Sequence, residues 1–178
     1  MGSQSAIVVG DGVFSAGIEG PAFGPDGALY AVSFGRDGTL GRVSFDADGN
    51  ARAALFMTLP EGSTGNGIRF DADGFMYVAD YTGHQVLRVD PRDRSVGVFA
   101  TLPGAHQPND IAFAPNGMFY ASDPDWRSGS GQQLSKVLAR GARGRAKVAW
   151  RHGGGAQVAH AVQRLVQRVH HAGAVQHI

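Results

Sequence analysis

Three polar residues open three similar stretches of this chain, and their side chains are the ones with types suited to chemistry. Glu19 begins EGPAFGPDGALYAVS, Asn66 begins NGIRFDADGFMYVAD and Asn109 begins NDIAFAPNGMFYASD. A carboxylate and two carboxamides are hard oxygen donors, suited to calcium, magnesium or manganese, or to a polar substrate. A cation held with so little ligand charge keeps open positions, polarises a carbonyl and acidifies a bound water. Taken singly, each residue also has a plainer reading. Glu19 can be a surface-loop carboxylate, and Asn66 and Asn109 can be turn residues, since Asn tolerates the left-handed conformation. The spacing weighs against the plainer readings: 47 residues separate Glu19 from Asn66, and 43 separate Asn66 from Asn109.

The elements that would position these residues are hairpins. Within the second unit, GIRF and FMYVAD alternate around Asp73-Gly74, as two antiparallel strands do. Asp26-Gly27 and Asn116-Gly117 occupy the same turn in the other units, so Asp26, Asp73 and Asn116 read as structural. Two further strands follow each hairpin: Gly38 to Leu59 turns at Asp48-Gly49, and Gln85 to Leu102 turns near Pro91. Thr58–Pro60 and Thr101–Pro103 close both units with the same TLP. A repeat of this length built from four short strands is the mark of a β-propeller blade. The starts of the innermost strands then converge on one axis, although they are far apart in sequence. Asp80 and Asp123 end the second strand of their units and read as strand-end caps, where the first unit has Ser33. Asp110 has two readings, as the group that orients Asn109 or as an ordinary loop residue. Trp126 either covers the mouth of a pocket or packs a loop.

Composition narrows the classes. The chain has 178 residues and 43% hydrophobic residues, enough for a packed core, and its 27 glycines suit a turn-rich all-β protein. It has no cysteine, which excludes thiol catalysis, disulfides and cysteine-ligated zinc. No Gly-x-Ser-x-Gly elbow occurs, which disfavours a serine hydrolase. No apolar run approaches the ~18 residues of a membrane span, and MGSQSAIVVG is too mixed for a signal peptide. The expectation is a cytoplasmic protein. The net charge of +1 conceals an asymmetry: residues 1–125 hold 7 basic and all 15 acidic residues, while residues 126–178 hold 9 basic residues and no acid.

The motifs EGPAFGPDGALY, GNGIRFDADGFMYVADYTGHQVLRVDP and QPNDIAFAPNGMFYASDPDW resemble the first half of the regucalcin/gluconolactonase family, the senescence-marker-protein-like propellers. The resemblance covers roughly residues 12–133. It implies an all-β fold, an incomplete β-propeller of the six-bladed family with about two and a half blades in residues 1–133. It also implies a metal-dependent hydrolase of sugar lactones, with calcium the expected metal and magnesium, manganese or zinc the alternatives. By the same resemblance Glu19 and Asn109 are metal ligands, and Asn66 and Asn109 face the substrate. Two later ligands of the family, an Asn in an N-G motif and an Asp in a D-G motif, have no counterpart here, and one of the missing groups is the family's base. The enzyme assignment therefore stays open, and the alternative is an inactive propeller fragment or a non-enzymatic binding module. A ring of six blades at about 45 residues each needs roughly 270 residues. An oligomer that shares one ring is therefore a further possibility.

Residues 134–178 form a basic tail with two readings. Val158, Val162, Leu165, Val166 and Val169 fall at the spacing of an amphipathic helix over 157–169, and QLSKV can still match the strand QVLRV. Alternatively, a frameshift near Gln132 gives the Arg, Ala, Gly, Val and His composition. His160, His170, His171 and His177 lack the spacing of a metal motif. Arg140, Arg143, Arg145 and Lys147 lack the aromatic interleaving of a nucleic-acid surface. The expected partner is a small-molecule lactone, with neither nucleic acid nor membrane.

Overall fold

The computed structural model describes residues 7–114, 118–124, 134–140 and 147–153. Among the described residues, twelve strands form three four-stranded antiparallel sheets, each a meander. The first sheet is β1 (Ala22–Phe23), β2 (Leu29–Val32), β3 (Thr39–Phe45) and β4 (Ala51–Thr58). The second is β5 (Gly65–Phe70), β6 (Met76–Asp80), β7 (Gln85–Val89) and β8 (Val96–Thr101). The third is β9 (Ile111–Phe113), β10 (Phe119–Asp123), β11 (Leu134–Arg140) and β12 (Lys147–Gly153). No helix occurs among the described residues, and the three sheets are propeller blades.

The third blade draws on both sides of residue 133. Ser122 of β10 pairs with Val137 of β11, and Ser135 of β11 pairs with His152 of β12. The outer half of this blade, left open by the sequence, is therefore supplied by residues 134–140 and 147–153. The sequence signal there was weak for a physical reason. The segment between β11 and β12 has no Asp, Asn or Pro to mark a turn, and β11 breaks strict alternation with Val137, Leu138 and Ala139 in succession. The helix expected over 157–169, Asn116 and Trp126 lie outside the described residues.

Blade stacking follows from strand alternation. β6 is buried along its whole length because it faces a neighbour on each side. Met76 and Val78 pack with Tyr30, Val32, Leu40 and Phe56 of the first blade. Tyr77 and Ala79, on the opposite face, pack with Ile111, Phe119 and Ala121 of the third. A side-chain period of two thus serves two cores at once.

The same aromatic triad recurs at both seams. Tyr30 meets Phe56 and Phe70 at centroid distances of 5.1 and 5.3 Å, and Tyr77 meets Phe99 and Phe113 at 4.8 Å each. Each tyrosine hydroxyl needs a partner at the edge of its seam. Tyr30 donates to Asp26 at 3.0 Å, and Tyr77 donates to Asp71 at 2.9 Å. Asp26 and Asp71 also accept backbone N–H groups of their own hairpin turns, so both turns are tied to a seam.

Candidate functional site

Glu19, Asn66 and Asn109 line one cavity of about 230 Å³, together with Gly20, Pro21, Gly67, Arg69 and Asp110. All three residues singled out by the repeat come to the same place. Each is set there by its own hairpin. The Glu19 carbonyl accepts the N–H of Val32 at 3.3 Å, next to the innermost strand β1. Asn109 donates its N–H to the Ser122 carbonyl at 2.9 Å, just ahead of β9. Asn66 sits in a bulge. Gly65 pairs with Asp80 and Ile68 with Val78, which leaves Asn66 and Gly67 out of the ladder. Bulges of this kind re-aim a side chain beside a site.

The inner ends of neighbouring blades approach closely because glycine stands where they touch. Gly67 donates its N–H to the Asn109 carbonyl at 2.7 Å. A Cβ on Gly67 would lie 2.7 Å from that same carbonyl oxygen. A Cβ on Gly20, whose φ is +56°, would lie 2.2 Å from the Asn66 carbonyl oxygen. Residues 20 and 67 each follow a candidate site residue, so these contacts fix the spacing of Glu19, Asn66 and Asn109 around the axis.

The side chains of Glu19, Asn66 and Asn109 make no hydrogen bond to another described residue. Glu19 is exposed, and both asparagines are half-buried. Their oxygens are thus uncommitted, and the donor set is of the hard-oxygen kind that suits a divalent cation. Its charge is low. Among the described residues no three His, Asp, Glu or Cys side chains gather as a metal cluster. A cation here would rest on one carboxylate, amide oxygens and water.

Two charged groups in the cavity had no clear role in the sequence. Arg69 donates Nη2–H to Asp110 Oδ2 at 2.7 Å and Nη1–H to its neighbour's carbonyl, Ile68 O, at 2.6 Å. Asp110 Oδ1 accepts the N–H of Ile111 at 2.8 Å. Asp110 therefore serves Arg69 and the start of β9, and no hydrogen bond joins its carboxylate to the Asn109 side chain. Arg69 was hidden because a charged residue in an alternating strand reads as solvent-facing. One signal was present: Arg69 replaces the alanine that the other units carry at this step, Ala22 and Ala112.

Asp80 and Asp123 are fully buried and do not line the cavity. Asp80 accepts Ser63 Oγ–H at 2.7 Å and Thr64 N–H at 3.1 Å, just ahead of Asn66. Asp123 accepts the N–H groups of His106 and Gln107 at 2.9 and 2.6 Å, just ahead of Asn109. Both cap the loop that delivers an axial asparagine.

No family model matches the sequence, and no curated protein matches it either. Solved structures do. Regucalcin from Agrobacterium tumefaciens, described as a calcium-binding protein, superposes with a TM-score of 0.57 at 18% identity, over 79% of this chain and 45% of its own. A gluconolactonase from Xanthomonas campestris gives 0.56 at 15% identity, over 76% and 48%. Virginiamycin B lyase from Staphylococcus aureus gives 0.55 at 15%, over 75% and 41%. The chain spans about half the length of the structures it matches. At such identities the likeness defines a propeller-type fold, which these proteins use for unlike chemistries. No helix among the described residues is long and apolar enough to cross a membrane.

Proposed function

We propose that this chain carries the axial site of a metal-dependent lactone hydrolase, with calcium the preferred cation and magnesium, manganese or zinc the alternatives. One observation carries the reading: Glu19, Asn66 and Asn109, from three separate blades, line a single cavity with uncommitted oxygens. Likeness to a gluconolactonase and to a calcium-binding regucalcin supports it. The partner is a small lactone, in a cytoplasmic setting and without nucleic acid.

The residues divide the work by type. Glu19 and Asn109 would hold the cation, which supplies Lewis acidity toward a lactone carbonyl. The carboxamide of Asn66 both donates and accepts, so it suits a ring hydroxyl of the substrate. The tight backbone contacts at Gly20 and Gly67 keep these groups in register before any ligand arrives. Hydrolysis also needs a proton acceptor. Asp110 is committed to Arg69 and Ile111, so Glu19 is the cavity's one carboxylate without a described partner. That shortage favours a second reading, a module that binds the cation and the sugar-like ligand without turnover.

Calorimetry with calcium on the full chain, alongside a pH-stat assay with D-glucono-δ-lactone, separates the readings. Calcium binding with turnover supports the hydrolase, and calcium binding without turnover supports the binding module. Glu19→Gln should weaken calcium binding by on the order of tenfold or more, since it removes the ligand charge. A chain that binds no calcium, or a Glu19→Gln variant that binds it unchanged, overturns the metal site.

A further inference from the structure

We propose that Arg69 is a ligand-anchoring, specificity-determining residue: its guanidinium, aligned by Asp110, takes a carboxylate oxygen of a polyhydroxy acid in the axial cavity. The class of ligand rests on the lactone-hydrolase reading, because opening a lactone produces such an acid.

The repeat itself makes the case. Aligned on Glu19, Asn66 and Asn109, the second positions are Gly20, Gly67 and Asp110, and the fourth are Ala22, Arg69 and Ala112. Each column has one departure from a small residue. The two departures occur in different blades and at different steps, yet they meet as the Arg69–Asp110 ion pair at 2.7 Å. Both line the cavity that holds the candidate site. Both side chains remain 39% exposed, and ion pairs that open to water add little to stability. A strut between blades 2 and 3 is therefore a weak reason for the pair. A bound guanidinium with donors to spare is a better one. Arg69 directs one N–H to Ile68 O and one to Asp110, and the rest of its fork has no described partner. A guanidinium held through one N–H of Nη1 and one of Nη2 keeps its remaining donors in fixed geometry, the arrangement suited to a carboxylate.

The same pair bears on the cation. Arg69 places a positive charge in the cavity of Glu19 and Asn109, and it occupies an Asp110 oxygen that would otherwise be open to a metal. Removing Arg69 should thus have opposite effects on two ligands. Arg69→Gln should weaken the binding of gluconate by on the order of tenfold or more, by the loss of a charged hydrogen bond. It should leave calcium binding as tight as in the parent, or tighten it. Arg69→Lys should fall between the two for gluconate, because it keeps charge without the fork.

The experiment is isothermal calorimetry of the full chain and both variants, titrated separately with sodium gluconate and with calcium. Weaker gluconate with undiminished calcium binding supports the proposal. Unchanged gluconate binding in Arg69→Gln overturns it, as does a parent chain that does not bind gluconate. A parallel loss of both ligands marks the pair as a structural strut and also overturns it. A chain that binds gluconate through Arg69 yet turns over no lactone defeats the hydrolase reading alone.

Discussion

Asp80 illustrates how much one residue carries in this fold. It has no exposure, yet it accepts from Ser63 Oγ, Thr64 N, Gly83 N and Gln85 Nε2, at 2.7 to 3.1 Å. Its alanine variant would leave the buried Ser63 hydroxyl and the less buried donors beside it without their acceptor. Each buried donor left unsatisfied costs about 1–3 kcal/mol, so Asp80→Ala should lose roughly 3 kcal/mol or more in urea unfolding. Asp80→Asn keeps one acceptor oxygen and should lose less. Equal losses for the two variants would show that the carboxylate acts through volume and not through its hydrogen bonds. The sequence pointed to Asp80 and Asp123 as strand-end caps. It could not say what they cap, because the loops at 63–64 and 106–107 are joined to them only by folding.

At the scale of the element, the innermost strands carry the site. The residues at or just ahead of their starts were legible as a column of Glu, Asn and Asn, since the blade repeat brings like positions to one axis. The bulge that frees Asn66 was not legible, because NGIRF keeps the alternation of a regular strand. The role of Gly67 was equally silent, since a glycine in a strand marks either a bulge or a close approach, and here it marks both. Gly67→Ala tests the approach. Its Cβ would stand 2.6 Å from Asp110 Oδ1, 2.7 Å from Asn109 O and 2.8 Å from Asp110 Cα. Two of these are backbone atoms, which cannot rotate away, so the inner ends of blades 2 and 3 must separate. Overpacking of this sort costs about 1–3 kcal/mol. Urea unfolding should register that loss, and calorimetry should register weaker calcium binding. A variant with parental stability would mean that the seam yields without strain.

At the scale of the whole molecule, the blades are joined by apolar seams in which a tyrosine sits at each edge. The sequence displayed the hairpins and their period, and hence the kind of architecture. It hid the third blade's outer strands, where no Asp, Asn or Pro marks the turn. It also hid the pairing of Tyr30 with Phe56 and Phe70, and of Tyr77 with Phe99 and Phe113, which spans separate strands and blades. These seams have a consequence for pH. Burial, and then the hydrogen bond to Asp71, push the Tyr77 hydroxyl from its ordinary 10.0 up to about 12. Burial likewise raises Tyr30. The folded chain thus holds these protons more tightly than the unfolded chain does. For groups with a raised folded value, the stabilising contribution is complete below the unfolded pKa and is lost as pH rises through the folded one. Stability should therefore be level up to about pH 10 and fall between about pH 10 and 12. Tyr77→Phe removes one titrating hydroxyl and its bond to Asp71. At pH 8 it should be less stable than the parent by about 1 kcal/mol. Its loss from pH 9 to pH 12 should nevertheless be the smaller of the two, so the gap between variant and parent narrows as the phenol of the parent ionises. Thermal melts of both proteins across that range decide the matter, and a constant gap would show that Tyr77 does not titrate with unfolding.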